Sequence, residues 1–323
     1  MKKVCVVGFG AIGPMHAEAI LKAENAELFG VCDINPQRLF EAEEQYGVRT
    51  YADFDQMLLD SEIDSVHICT PHHLHFEMIK KALAAGKNVV CEKPAVRTKE
   101  EFLRLCEIDS KNEVCYVLQN RLNPCVVKFS DIVKSGGMGR LISAKGILTW
   151  NRTKEYYASG DWRGKWETEG GGVLINQAVH TLDFFSYIAG GVLSVRANMT
   201  NLALDCIQVE DTFVANLKLA EGVSGIFFAT NAYGANSAPE FEIVFEKGTV
   251  RYAEGKLFVD GAVIKEDVLS SGGKAYWGTG HERLIADYYD KNRYFSLESI
   301  KNTMETLFAM YESARENGKE ILL

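Results

Sequence analysis

The apolar run Val4-Cys5-Val6-Val7 leads straight into Gly8-Phe9-Gly10-Ala11-Ile12-Gly13, and an alanine-rich helical pattern follows. A strand that turns through G-x-G-x-x-G into a helix constrains the fold more than any other feature, because it is the dinucleotide-binding turn of a parallel α/β unit. Gly8 allows the tight turn, Gly10 lets the backbone approach a pyrophosphate, and Gly13 lets helix and strand pack closely. Ala11 and Ile12 complete the loop, and the pyrophosphate is expected on the unsatisfied N–H groups of the helix N-terminus. Asp33 closes a second apolar run, Leu28-Phe29-Gly30-Val31-Cys32. A carboxylate there hydrogen-bonds the ribose hydroxyls and repels a 2′-phosphate, so the expected cofactor is NAD, with NADP less favoured. Arg38, five residues on, could in principle meet a 2′-phosphate.

Apolar runs at 3–8, 27–32, 64–70, 88–91 and 114–118 alternate with helical patterns such as Leu74 to Ala85, the signature of a parallel sheet. Crossovers of that kind are right-handed and leave a ligand crevice at the carboxyl ends of the strands. Thr70-Pro71 and Glu92-Lys93-Pro94 lie at such ends. After Asn123-Pro124 the pattern changes. A helix over about 125–135, a strand run over 141–150 and an aromatic, basic loop from Tyr156 to Trp166 come first. Gly170-Gly171-Gly172 then opens a helix over about 173–189, and alternating runs from 192 to 265 predict a mainly antiparallel sheet. Helices over about 279–291 and 296–316 close the chain. The expected fold is α/β in 1–122 followed by an α+β domain in 123–323, built on a large open sheet. An open face of that size is the natural surface of a homodimer or homotetramer.

At 323 residues the chain favours two domains over one core. A net charge of −9 argues against nucleic acid or an anionic membrane as the main partner. No segment reaches the roughly 18 apolar residues of a membrane span. The start imitates a leader peptide, with Ala17-Glu18-Ala19 as a cleavage site, but cleavage there would remove the first strand and all three glycines. A cytoplasmic protein is expected. Cys5, Cys32, Cys69, Cys91 and Cys115 fall in the strand runs and read as small buried hydrophobes.

Lys93 follows a strand at the crevice and is held by Pro94. A lysine near a nicotinamide can hydrogen-bond a reacting hydroxyl and stabilise its developing alkoxide. Asn176, His180 and Asp183 recur at helical spacing and predict one shared face, where His180 suits general acid–base work. His72, His73 and His75 offer an H-x-x-H, yet no acidic partner or cysteine pair accompanies it, so packing against the cofactor is expected and no metal. His281 is either a helix start or a pocket wall. Trp162 and Arg163 suit a sugar or a carboxylate, and Arg121 is placed with them as a substrate contact.

The runs G-F-G-A-I-G at 8–13, T-P-H-H-L-H at 70–75, A-G-K-N-V-V-C-E-K-P at 85–94 and G-G-G-V-L-I-N-Q-A-V-H-T-L-D at 170–183 occur in this order. Together they resemble the glucose–fructose oxidoreductase / inositol dehydrogenase family, Gfo/Idh/MocA, over nearly the whole chain. The resemblance implies an N-terminal Rossmann domain, a C-terminal open-sheet domain used for dimers or tetramers, and oxidation or reduction of a secondary alcohol on a sugar, inositol or nucleotide sugar. It implies that Lys93 positions the hydroxyl and that His180 shuttles the proton, while Thr70, Pro71, His75, Glu92 and Lys93 are expected beside the cofactor from their place at the strand ends. Many members carry aspartate four residues before the histidine, where this chain has Asn176. An amide orients a ring but cannot stabilise an imidazolium by charge.

Two other functions use the same parts. One is a glycosidase that oxidises C3 transiently and returns NAD unchanged. The other is a cofactor-binding regulator without chemistry, which has no need of Lys93 and His180.

Overall fold

The computed structural model describes residues 1–268 and 278–323. It divides into two compact units. One comprises Met1–Val96, Glu100–Gln119 and Thr279–Ile300; the other comprises Arg97–Lys99, Asn120–Gly278 and Lys301–Leu323.

In the first unit β1 (Lys2–Val7), α1 (Gly13–Lys22), β2 (Ala26–Cys32), α2 (Pro36–Tyr46), β3 (Arg49–Tyr51), α3 (Phe54–Leu58), β4 (Ser65–Ile68), α4 (His72–Ala84), β5 (Asn88–Cys91), α5 (Lys99–Cys106) and β6 (Val114–Tyr116) follow one another. The six strands pair in parallel in the order β3-β2-β1-β4-β5-β6. Strand order reverses between β1 and β4, which places the ligand crevice outside their carboxyl ends. Apolar runs become strands here because both faces are covered: every residue of β4 is buried, as are Val4 to Val7. The short edge strand β3 has too few residues to show a pattern in the sequence.

The second unit contains α6 (Pro124–Lys134), β7 (Leu141–Thr149), α7 (Lys154–Ala158), α8 (Val173–Asn176), α9 (Val179–Tyr187), β8 (Val192–Thr200), β9 (Thr212–Leu219), β10 (Ser224–Thr230), β11 (Glu240–Phe245), β12 (Gly248–Ala253), β13 (Lys256–Val259) and β14 (Ala262–Glu266). The chain continues through α10 (Gly280–Lys291) and α11 (Leu297–Arg315) to β15 (Ile321–Leu322). Its nine-stranded sheet runs β14-β13-β12-β11-β7-β10-β9-β8-β15. Among the described residues only β7 and β10 pair in parallel in this sheet. Alternation is plain in β9: Phe213, Ala215, Leu217 and Leu219 are buried, while Val214 faces outward at 42% exposure. On the same outer face Ile226 of β10 is 56% exposed.

Two expectations are corrected. The boundary at 122/123 is not a clean cut, because α10 belongs to the first unit and packs on α1. Lys22 Nζ donates to Glu282 at 2.8 Å, and Asp290 accepts the Asn25 N–H at 2.9 Å. The helix over 173–189 is two helices, α8 and α9, because the Ala178 N–H bonds back five residues to Val173 O at 2.8 Å and breaks the regular turn. Asn176 therefore stands on a different helix from His180 and Asp183.

All eight cysteines lie among the described residues, and none forms a disulfide. Among the described residues no helix is long and apolar enough to cross a membrane.

Candidate active site

The first unit carries the dinucleotide turn. Gly8 has φ +87°, and a Cβ there would lie 2.9 Å from the Cys69 carbonyl at the end of β4. A Cβ on Gly13 would lie 2.6 Å from Gly8 O, so only glycine lets α1 start this close to β1. Beside Gly10 nothing is nearer than Arg38 at 3.8 Å, which leaves that backbone open. No side chain caps α1 at Ile12. The opening turn of the helix thus offers its N–H groups and dipole to a phosphate. The residues present fit a pyrophosphate.

Asp33 is nearly buried at the end of β2. Its Oδ2 accepts the Phe9 N–H at 2.6 Å and Arg38 Nη1 at 3.3 Å, and its Oδ1 accepts the Asn35 N–H at 2.8 Å. The carboxylate therefore braces the glycine loop and also neutralises Arg38, the cation that a 2′-phosphate would need.

Lys93 sits just beyond β5, and its peptide bond to Pro94 is cis. Its N–H donates to Glu92 Oε2 at 3.1 Å. Glu92 is buried, with His16 Nε2 at 3.0 Å and His281 Nε2 at 3.1 Å from its Oε1. Burial pushes the Glu92 carboxyl up, but the two histidine hydrogen bonds outweigh it and hold the group well below the usual carboxylate range. His281 thus takes the first turn of α10 and reaches into the interior of its own unit. His75 is fully buried, with Nδ1 2.8 Å from Pro94 O and Nε2 2.9 Å from Thr70 O. It ties the two loops that close β4 and β5, and a neutral ring donates to one carbonyl at a time. His75 is thus a brace between the two loops. Pro71 is the N-cap of α4, and Thr70 Oγ1 donates to Met78 Sδ at 3.4 Å.

The second unit carries the other candidates. The buried Asn176 amide donates to Oε1 of the fully buried Glu169 at 2.5 Å, and Glu169 Oε2 accepts the Gly164 N–H. Gly171 and Gly172 are required by close approach, since a Cβ on Gly172 would lie 1.9 Å from Glu210 O. Glu210 accepts the Gly172 and Leu174 N–H groups at the start of α8 and the Tyr311 hydroxyl at 2.9 Å. Burial pushes its carboxyl up to about 7 against those hydrogen bonds. His180 is half-buried on α9.

Arg163 donates to Tyr156 Oη at 2.6 Å, and its guanidinium lies 4.5 Å from the Tyr156 ring and 4.4 Å from the Trp162 ring. Gln177 donates to the same phenol at 3.0 Å and accepts Asn231 Nδ2 at 2.9 Å. The aromatic, basic loop is thus a hydrogen-bonded cluster on one side of α8.

Arg121 and Asp183 are brought together as a buried ion pair. Arg121 Nε and Nη2 donate to the two Asp183 oxygens at 2.8 and 2.7 Å, and Thr303 Oγ1 adds a third bond at 2.7 Å. Both side chains are buried, at 4% and 2% exposure. Sequence reading missed His16, His67, Glu169 and Glu210 altogether. The one available signal was weak: His16 and Ile20 are an i, i+4 pair on α1, and both are fully buried.

The turn, Asp33 and the strand order define an NAD-binding Rossmann protein. Residues 2–120 match the model of an oxidoreductase family with an NAD-binding Rossmann fold, and residues 126–251 match the GFO/IDH/MocA C-terminal domain. The chain belongs to the Gfo/Idh/MocA oxidoreductase family. It is 30% identical to the WlbA dehydrogenase of Chromobacterium violaceum, solved with NADH and UDP-GlcNAcA; the match covers 100% of this chain and 96% of that one, with a TM-score of 0.88. The myo-inositol 2-dehydrogenase of Thermotoga maritima is 25% identical over 93% of this chain and 88% of its own length. The levoglucosan dehydrogenase of Pseudarthrobacter phenanthrenivorans is 28% identical over 68% of this chain, and the match spans 63% of that protein.

Proposed function

We propose that the protein is an NAD-dependent dehydrogenase that transfers a hydride between the nicotinamide and a secondary hydroxyl of a sugar, with nucleotide sugars the favoured class. The observation that carries this reading is Lys93, held by its main-chain N–H at the carboxyl end of β5 in a unit whose glycine turn fits NAD. The preference for nucleotide sugars is supported by full-length similarity to a dehydrogenase solved with UDP-GlcNAcA.

In this reading the Lys93 ammonium hydrogen-bonds the reacting oxygen and stabilises the alkoxide as it forms. His180 takes the hydroxyl proton during oxidation and returns it during reduction. Asn176, anchored on Glu169, orients a polar group of the substrate, and the Trp162–Arg163 cluster offers an aromatic face and a cation. NAD, when bound, would supply the hydride acceptor. The outer sheet face with Val214 and Ile226 covers a second copy, giving a homodimer or homotetramer in the cytoplasm.

The test mixes purified protein and NAD with inositols, aldoses, uronic acids and UDP-sugars and follows the reduced-nicotinamide absorbance. Appearance of NADH with one sugar class is expected. Glycoside cleavage without NADH formation would move the protein to the recycled-cofactor chemistry.

A further inference from the structure

Behind the Lys93 loop lies a line of buried polar groups in the first unit that the hydride-transfer reading leaves unused. Ser65 Oγ is 3.0 Å from Tyr289 Oη, which is 2.8 Å from His67 Nε2. His67 Nδ1 is 2.8 Å from His16 Nδ1, and His16 Nε2 is 3.0 Å from Glu92 Oε1. His281 Nε2 meets the same oxygen, and Glu92 Oε2 takes the Lys93 N–H. Ser65, His67 and His16 are each no more than 1% exposed.

A neutral imidazole has one N–H and one bare nitrogen, so the direction of one link fixes the next. An ionised Glu92 only accepts, hence His16 and His281 both donate from Nε2. His16 Nδ1 is then bare, and His67 must donate to it from Nδ1. His67 Nε2 is bare in turn and takes the phenolic proton of Tyr289, where the chain ends. Every proton has one place. A protonated Glu92 would donate to His16 Nε2 and reverse the links as far as Tyr289. Burial lowers both His16 and His67, which favours their neutral forms.

The other titratable groups facing Glu92 are Lys93 on its own loop, His75 on α4, and the Cys69 and Cys91 thiols, which burial pushes far up and keeps neutral.

We propose that Glu92 is a positioning residue for Lys93, and that Tyr289, His67 and His16 form a one-way hydrogen-bond chain that holds Glu92 in its ionised form. The anion makes a charge-assisted bond to the Lys93 N–H, while His75 meets the Pro94 carbonyl on the other side. The backbone is thus fixed on both sides of the lysine. The proposal rests on the reading that Lys93 meets the reacting hydroxyl.

Nitrogen-15 NMR of the histidine rings in the unaltered protein tests the chain without any substrate. His16 protonated at Nε2 and His67 protonated at Nδ1 is the expected pair; the reverse pair, or a doubly protonated His16, overturns it. Tyr289→Phe removes only the far hydroxyl. It should speed hydrogen exchange at the Lys93 amide, displace the kcat–pH profile and lower kcat about fivefold to tenfold, with NADH affinity within about twofold. Unchanged exchange together with an unchanged pH profile overturns the proposal. Glu92→Gln should lower kcat about a hundredfold, with partial recovery in Glu92→Asp. One equivalent of zinc in the purified protein, lost in His281→Ala, would reassign these groups as metal ligands and likewise overturn it. If the unaltered protein oxidises no sugar-like alcohol, the functional reading fails, while NMR and amide exchange still decide the chain.

Discussion

The side-chain amide of Asn176 donates to the fully buried carboxylate of Glu169, seven residues earlier in the chain. A buried carboxylate thus stands one group behind the amide and fixes its orientation. Asn176→Asp would set two carboxylates at hydrogen-bond distance in a buried site, where they must share a proton. The expected result is a loss of about 3 kcal/mol in chemical denaturation. The double variant Asn176→Asp with Glu169→Gln should recover most of it. A single variant as stable as the parent would contradict the pairing.

Arg121 and Asp183 form a buried two-pronged ion pair. Removing one partner leaves a buried charge without its counter-charge, so Arg121→Met should cost about 3–5 kcal/mol. Arg121→Met with Asp183→Leu should regain most of that stability. The measurement is urea unfolding of the three variants. Loss of substrate affinity in a fully stable Arg121→Met would return the arginine to the binding site.

Glu210 ties its stability contribution to pH. Its folded carboxyl titrates at about 7 rather than at the ordinary 4.5, chiefly through burial. Between those values the folded chain holds a proton that the unfolded chain has released, so stability falls as pH rises through this window. The full effect is on the order of 3 kcal/mol. Glu210→Gln keeps the neutral shape and should flatten the slope between pH 5 and about 7 in thermal melts. An identical slope in the variant would show that another group carries the pH dependence.

Asp33 pairs with Arg38, and the proposed reading gives it the cofactor preference, both by its own charge and by neutralising that arginine. NADH should bind at least about tenfold more tightly than NADPH, a difference of about 1.4 kcal/mol. Asp33→Ser frees the guanidinium and should narrow or reverse that ratio in fluorescence titrations. A parent protein that prefers NADPH would remove Asp33 from this role.

The first unit was largely legible because its signals are local. An apolar run into G-x-G-x-x-G dictates β1, the turn and α1, and Glu92-Lys93-Pro94 marks the end of a strand wherever that strand pairs. What stayed hidden depends on partners far apart in the sequence. His16 meets Glu92 across 76 positions, and His281 meets it across 189. No periodicity in α1 or α10 announces such a meeting. The single helix expected over 173–189 failed for a similar reason. Gln177 bonds with Tyr156 and Asn231, and these outside partners accompany a break between α8 and α9 that helical spacing alone does not predict. The pairing of Arg121 with Asp183 was hidden for the same reason, since the two partners stand 62 positions apart.

The most direct test of hydride transfer uses a UDP-sugar or other accepted alcohol carrying deuterium on the carbinol carbon. Turnover with NAD followed by mass spectrometry of the cofactor should find one deuterium in the reduced nicotinamide, with Lys93→Ala about a hundredfold slower or more. Deuterium lost to water, or retained in the product while NAD is unchanged, would contradict a net dehydrogenase.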